Sequence, residues 1–378
     1  EEAHLRNRKK TDLETDDLVF TRIGAGLGKA CLITENMPEF SILHSAAMIR
    51  VTREKLVPEY FLYYLKSDLL QRQIAIEVQS IGVPDLGLDK INGFKVLLPP
   101  KEQQQKIAKI LSIVDKLIEK TQTLIDKYSA IKQGMMADLF TRGIDMATGD
   151  AVNSKSGKLR PSFDDAPKLY KQTELGWVPK EWEVTEMLNV VPVAEYGISE
   201  SLVEGDGIPV LRMNNLHEGR IRVEEKDIKV TKNSVRNSLF LKDGDVLFNR
   251  TNSIEHVGKT SIWKNELTIC TFASYLVRLR PNEELMLPDY LYFWMNRPEV
   301  QSDIRKYSTP GVQQVNINPT NLRKTLIVRP SLKEQKVVCE RIKAIDNILD
   351  ENISLLKKYS EKKKGLMQDL LTGKVSVL

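Results

Sequence analysis

The sequence predicts an α/β chain of the α+β kind. Two globular units of irregular, twisted sheet with a few helices are separated by two long helices, which pair as an antiparallel coiled coil about a pseudo-two-fold axis. Three observations lead there. The chain repeats itself internally, and repeats must be found before any other fold signal is read. Each copy ends in a long stretch whose apolar residues recur at three- and four-residue spacing, the mark of a paired helix. The rest has short β-rich runs broken by Gly and Pro, without the strand–helix alternation of a doubly wound sheet.

The repeat is clearest in the helices. Residues 115–141 align without a gap against 346–372, with 11 identities in 27 that include Tyr128/Tyr359, Gly134/Gly365, Met136/Met367 and Asp138/Asp369. Upstream, Asp17-Leu18-Val19-Phe20-Thr21-Arg22 answers Asp245-Val246-Leu247-Phe248-Asn249-Arg250, and Gly28-Lys29 answers Gly258-Lys259. Met48-Ile49-Arg50 is matched to Leu276-Val277-Arg278, Pro58-Glu59-Tyr60 to Pro288-Asp289-Tyr290, and Gly82-Val83 to Gly311-Val312. Glu102-Gln103 and Glu334-Gln335 open the two helices. The order of these motifs, more than any one of them, argues for duplication. Residue 1 aligns near residue 229 and the chain starts Glu1-Glu2, so the first unit is expected to be N-terminally incomplete, with some core surface uncovered.

The expected organisation is a first unit over 1–100, a long helix over 101–141, a connector over 142–172, a second unit over 173–330 and a second long helix over 331–373. Within the first unit, 17–24 and 46–51 are β-rich, 58–77 has helical periodicity with Pro at its start, and 94–98 reads as a strand halted by Pro99-Pro100. The connector is rich in Asp, Gly, Ser, Lys and Pro and lacks periodicity. The first helix has its seam at Ile107, Ile110, Val114, Leu117, Thr121, Leu124, Tyr128, Ile131 and Met135. The second has Val338, Ile345, Ile348, Asn352, Leu355, Tyr359 and Leu366, with Ile342, Leu349 and Leu356 widening the face. Thr121 and Asn352 are polar, equivalent and near each helix centre; a single polar seam residue fixes register.

Composition sets limits. With 378 residues and 41% apolar residues, both units can bury real cores. A net charge of +5 and a pI near 8.8 permit polyanion binding without demanding it. Cys31, Cys270 and Cys339 are far apart, which suggests buried thiols in a reducing compartment and no disulfide frame. No apolar run reaches the roughly 20 residues of a membrane span and no signal peptide is visible, so a soluble, cytoplasmic protein is expected.

Candidate contacts lie in loops that follow strands. Arg212, Asn214 and Asn215 follow 208–211, and Arg250 and Asn252 follow 245–248. Arg matches guanine O6/N7 and Asn matches adenine N6/N7, so these loops could read base edges; as turn formers, the asparagines could equally be structural. Lys232, Arg236 and Lys259 suit phosphate contacts or solvation, and Arg22 and Lys29 are the first-unit counterparts of Arg250 and Lys259. The loop 307–314 carries Tyr307, Gln313 and Gln314, and a similar loop over 79–85 carries Gln79 and Ser80. A helix of about 39 residues spans roughly 58 Å, against about 34 to 36 Å for a turn of DNA, so a helical rod could hold two reading units over separate groove faces.

Catalytic signals are weak. The run from Gly24 to Lys29 lacks phosphate-loop spacing. The acids at Asp85 and Asp89 lack acidic counterparts in the second copy, and His4, His44, His217 and His256 form no metal-ligand set.

With these residues in hand, the chain resembles the specificity (S) subunit of type I restriction-modification systems. The resemblance rests on Leu175-Gly176-Trp177-Val178-Pro179-Lys180-Glu181-Trp182, Ile208-Pro209-Val210-Leu211-Arg212, Gly244-Asp245-Val246-Leu247-Phe248-Asn249-Arg250 and Pro330-Ser331-Leu332-Lys333-Glu334-Gln335, with Pro99-Pro100-Lys101-Glu102-Gln103 a shorter form of the last. It implies two target recognition domains, each reading half of a bipartite double-stranded DNA sequence, and paired helices that space them and dock two methylation (M) subunits. Restriction (R) subunits would join the complex. Adenosylmethionine, ATP and Mg would belong to those partners, with no cofactor, metal or catalysis in this chain. Two other readings stay open: a fragment of a fused restriction-methylation enzyme, and a coiled-coil scaffold without a DNA role.

Overall fold

The duplication is written into hydrogen bonds that the computed structural model makes twice. It describes residues 12–38, 40–78, 83–148, 157–217, 219–224, 228–310 and 314–377. The chain divides into unit 1, Glu1–Lys127 with Leu349–Leu378, and unit 2, Tyr128–Ile348.

In unit 1, β1 (Leu18–Thr21) lies between β2 (Ala30–Leu32) and β3 (Ala46–Ile49), all antiparallel. Four helices follow: α1 (Pro58–Leu65), α2 (Asp68–Glu77), α3 (Leu88–Asn92) and α4 (Lys101–Thr141), whose first part belongs here. The single helix expected over 58–77 is two. Ser67 adopts an extended backbone, its hydroxyl accepts the Leu70 N–H, and it caps α2, so the chain breaks at 66–67.

Unit 2 continues with a series of short strands. β4 (Ile144–Asp145) pairs with β5 (Lys158–Leu159), and β6 (Tyr170–Thr173) with β7 (Gly176–Pro179). β8 (Glu183–Glu186) leads to β9 (Val193–Tyr196), β10 (Ile208–Leu211), the ribbon of β11 (Leu216–His217) and β12 (Arg220–Ile221), and β13 (Lys229–Thr231). Next come β14 (Val246–Asn249), β15 (Thr251–Asn252), β16 (Thr260–Ile262), β17 (Thr271–Phe272) and β18 (Leu276–Arg280). Helices α5 (Pro288–Met295) and α6 (Pro298–Arg305) precede β19 (Ser308–Pro310), β20 (Val315–Ile317), α7 (Pro319–Leu322), β21 (Leu326–Arg329) and α8 (Leu332–Leu371). The main sheets run β16-β14-β18-β9, β13-β10-β17 and β15-β20-β19, with β21 paired to β8. The mixture of small sheets and short helices is the irregular α+β architecture expected.

Three clasps appear in both units. Arg50 donates from Nε and Nη2 to the two oxygens of Asp17, at 2.8 and 2.7 Å, and Arg280 binds Asp245 in the same way. The side-chain amide of Gln71 donates to the Gly28 and Leu65 carbonyls, as that of Gln301 does to Gly258 and Met295. Gly28 and Gly258 have φ of +87° and +91°, and a Cβ on either would press on that glutamine, so glycine is required twice. Buried Gln104 accepts from Val57 N and donates to the Lys55 and Pro99 carbonyls; Gln335 does the same with Leu287, Leu285 and Pro330.

These clasps correct two sequence pairings. Arg50 matches Arg280, since β1 pairs Leu18 with Ile49 and β14 pairs Val246 with Leu279. Gln104, not Gln103, matches Gln335. Identity alone slid the motifs because each window holds two arginines or several glutamines.

Asp17 carries a pH dependence. Burial pushes its carboxyl up, but hydrogen bonds from Arg50 and the Glu14 N–H outweigh that and hold it below the ordinary value of 3.8. A depressed carboxyl stabilises fully above its unfolded value and ceases to as pH falls through the folded one. Urea unfolding of unit 1 should therefore show stability falling below about pH 4, and Asp17→Asn should flatten that limb; an identical slope in the variant would remove Asp17 from the account.

The long helices pair within each unit. In unit 1 the end of α8 lies against the start of α4: Leu370 and Leu371 join Ile107 and Leu111 in one core, and Lys363 meets Asp115 at 2.6 Å. In unit 2 the end of α4 lies against the start of α8: Leu139 and Phe140 join Val338 and Ile342, and Lys132 meets the equivalent Asp346 at 2.6 Å. The pairing is antiparallel in both.

The seam differs in phase from the one expected. Ile107, Val114 and Thr121 are buried, but their partners are Leu111, Ile118 and Ile125, while Leu117 and Leu124 are 38% and 41% exposed. In α8 likewise Ile342 and Leu349 are buried and Leu355 is exposed. Both spacings contain one apolar residue per half-heptad, so only the neighbour decides which stripe turns inward.

The strand expected at 94–98 is absent. Gln73 takes both the N–H and the carbonyl of Lys95, and Leu97 and Leu98 are 48% and 56% exposed. The equivalent β21 is a strand because β8 pairs with it; among the described residues nothing does so at 95–98. Cys270 and Cys339 are buried, which pushes both thiols up to about 12, whereas Cys31 is exposed, against expectation.

Candidate nucleic-acid interface

In unit 2 the loops after β10 and β14 and the 307–314 ribbon, three of those singled out by sequence, converge at one end of the β14 sheet. Leaving β14, the chain passes through Arg250 into β15, which pairs with β20, which pairs with β19. The turn Met213–Asn215 lies against this ribbon, the Asn252 amide donating to Met213 Sδ at 3.4 Å. Arg212, Asn214, Arg250, Asn252 and the β19–β20 ribbon are thereby brought together.

Arg250 is the centre of the group. Its Nη1 donates to the Ser274 carbonyl at 3.2 Å, its guanidinium stacks 4.7 Å from the centroid of Tyr196, and its backbone N–H bonds the Tyr275 carbonyl. Tyr196 and Tyr275 are 45% and 47% exposed, so two tyrosines flank an arginine that uses few of its five donors. Thr251 and Asn316 add a hydroxyl and an amide, joined at 3.1 Å. Tyr307, ahead of β19, is exposed, as is Gln314; Gln313 lies outside the described residues.

Sequence reasoning missed Tyr196, Tyr275 and Asn316. Tyr196 ends β9 far back in the chain, and only the β9–β18 register, which sets it opposite Val277, carries it to Arg250.

Asn215 is corrected to a structural role. It is fully buried, its amide oxygen accepts the Arg212 N–H and its nitrogen donates to the Arg222 carbonyl, so it shapes the turn and presents nothing to a groove. Lys232 and Arg236 are exposed but stand apart from the group: Thr231 pairs with Ile208, at the end of β10 away from Arg212. Half-buried Lys259 sits in the β14–β16 turn, its carbonyl bonded to Asn249 N.

In unit 1 the counterpart of Arg250 is held differently. Arg22 donates to the Leu86 and His44 carbonyls, both at 2.9 Å, and to Asp85 Oδ1 at 2.7 Å, which neutralises its charge. Asp85 occupies the position of Asn316, each forming a bridge to the strand that precedes it (Ile23 with Asp85, Thr251 with Asn316). Lys29 is exposed, while Gln79 and Ser80 lie outside the described residues. Thr121 is buried and its hydroxyl donates to the Leu117 carbonyl of its own helix; Asn352 is half-buried. Among the described residues no group of three or more His, Cys, Asp or Glu could hold a metal, and no helix is long and apolar enough to cross a membrane.

Comparison with known proteins agrees with this architecture. Over 345 residues the chain is 27% identical to the type I restriction enzyme MjaVIII specificity subunit of Methanocaldococcus jannaschii, covering 88% of this chain and 74% of that one. It is 24% identical over 298 residues to the type I restriction enzyme EcoKI specificity subunit of Escherichia coli (strain K12), covering 77% of this chain but only 59% of the relative. The fold resembles the crystal structure of the type I restriction-modification system S subunit from M. genitalium, with a TM-score of 0.61 at 13% identity over 94% of this chain and 83% of that one. The type I restriction modification DNA specificity domain matches residues 3–127 and 179–358, most of the chain, and the chain belongs to that family.

Proposed function

We propose that this chain is the non-catalytic DNA-recognition subunit of a type I restriction-modification complex, each unit reading half of a bipartite double-stranded target. One observation carries the reading. The scaffold bonds of the two units repeat, while the loop chemistry mounted on them does not. Arg250 has donors to spare, and its neighbour Thr251 pairs with Asn316, where Arg22 is neutralised by Asp85. One frame presenting two different surfaces suits two different half-sites.

In this reading the helices set the spacing, and the polar seam residues Thr121 and Asn352 would fix the register. The apolar residues that the seam leaves outside, including Ile113, Leu117 and Leu124 on α4 and Ile353 and Leu355 on α8, support a docking surface for methylation subunits. Adenosylmethionine, ATP and Mg would be bound by those and the restriction subunits.

The test is to map methylated adenines in a genome carrying the intact system. A motif in two parts with an unspecified gap is expected; an uninterrupted motif would overturn the bipartite reading. Failure of the assembled complex to shift DNA would favour a scaffold instead. Within the complex, Arg250→Ala should relax preference at one base, a loss of about 1–3 kcal/mol in discrimination. Arg22→Ala should lower the stability of unit 1 and leave base preference alone. Equal losses on all sequences for Arg250→Ala would make it a phosphate contact.

A further inference from the structure

Unit 1 holds a cavity whose basic lining residues are mostly neutral at the matching positions of unit 2. About 390 Å³ in volume, it lies between the α1–α2 elbow and the last turns of α8, lined by Lys66, Arg72, Lys363 and Lys364, with Asp68 as its one acid. Lys363 is paired with Asp115 at 2.6 Å. Lys66, Arg72 and Lys364 have no ion-pair partner among the described residues.

The repeat provides an internal control. At the positions of Lys66, Arg72 and Lys364 unit 2 carries Asn296, Ser302 and Gln133, while Lys132 matches Lys363. The arginine that unit 2 has at this elbow, Arg297, is buried against the rings of Phe140 and Trp294. A fold that forms with three neutral residues does not need three cations there. Gathering like charges around a concavity works against stability unless an anion joins them. Lys66 registers that field: its ammonium is held below the usual lysine range by partial burial and by repulsion from Lys363, with Asp115 opposing.

We infer that this cavity binds a phosphate group. Its concave form suits a phosphate group on a small or larger ligand better than a flat partner surface, and flexible lysines with a forked arginine are the side chains that grip phosphate oxygens. Asp68 and Leu69, at the start of the ten-residue α2, also line it, and the first N–H groups of a helix have no partner inside it. Two sources share this chemistry: the backbone of bound DNA and a free phosphate or phosphate monoester. The DNA source rests on the proposed function; the site itself does not.

The test uses Lys66→Asn, Arg72→Ser and Lys364→Gln together, installing the residues of unit 2, with Lys357→Gln elsewhere on α8 as the control. Titration of the full chain with inorganic phosphate, by calorimetry and by thermal shift, should show binding that the triple variant weakens about tenfold or more and the control leaves alone. Equal binding by wild type and triple variant, or none by wild type, would overturn the site. A second arm measures duplex binding by the assembled complex against salt. If the duplex backbone is the source, the slope of log K on log salt falls by about two to three in the triple variant, at about 0.9 per phosphate contact. An unchanged slope with phosphate binding lost in the variant assigns the cavity to a free phosphate. Absence of DNA binding by the wild-type complex would defeat the proposed function and the duplex source together, leaving the phosphate titration to decide the site.

Discussion

Glu334→Ala is expected to destabilise unit 2 by about 3–5 kcal/mol, the cost of leaving a buried charge without its partner. Glu334 is buried at the start of α8 and serves three groups. Its carboxylate accepts from Ile144 N at 2.7 Å, from Arg160 at 2.5 and 3.2 Å, and from Trp182 Nε1 at 3.1 Å. Burial alone would lower the Arg160 guanidinium, but Glu334 and Glu181 outweigh it and raise it, so the pair is mutually dependent. The network ties the end of α4, through Gly143 and Ile144, to the head of α8, and it sets Ile144 in the core of unit 2. Gly143→Ala should be comparably damaging: its φ is +64°, and a Cβ would lie 2.2 Å from the Trp182 ring and 2.3 Å from Glu334. Replacing Glu334 and Arg160 together by Leu should cost less than Glu334→Ala, since no charge is stranded. Urea unfolding followed by tryptophan fluorescence reads all three. A Glu334→Ala unfolding free energy within about 0.5 kcal/mol of wild type would refute the clasp.

Deleting one heptad from each long helix, 117–123 from α4 and 348–354 from α8, should abolish tight binding to the native target in the assembled complex. Seven residues are close to two turns, so each apolar stripe stays on its face, while each helix shortens by about 10 Å. If, as proposed, the target is bipartite and its spacing is set by helix length, the two half-sites can then no longer be engaged together, and the gain from linked binding is lost, a factor of about 100 or more. Binding to isolated half-sites should persist at its native, weaker level. Undiminished binding of the native target by the shortened complex would show that the helices do not measure the site.

Much of the fold could be read from residue order. The repeat pointed to two versions of one frame, and the frame's shared bonds run through residues that the motifs contained: Asp17 and Asp245, Gly28 and Gly258, the glutamines that open α4 and α8. The bounds of α4 were legible because propensity, Pro99-Pro100 and Gly143 all agree locally. Arg250 was legible as a candidate because an arginine directly after a buried strand has few ways to turn inward.

What residue order could not settle were matters of partnership. Whether 95–98 becomes a strand depends on a second strand, which 326–329 has and 95–98 lacks among the described residues. Whether Leu117 or Leu111 enters the seam depends on the helix opposite, because a heptad stripe offers two phases of nearly equal hydrophobicity. Whether an asparagine faces solvent or shapes a turn depends on the carbonyl it meets, and Asn215 meets Arg222. The repeated motifs, the long helices and the residue types at each loop were open to reading because they follow from local pattern. Which loop residues stand together, and how each charged side chain is paired, emerged with the folded chain because those depend on contacts between residues far apart in sequence.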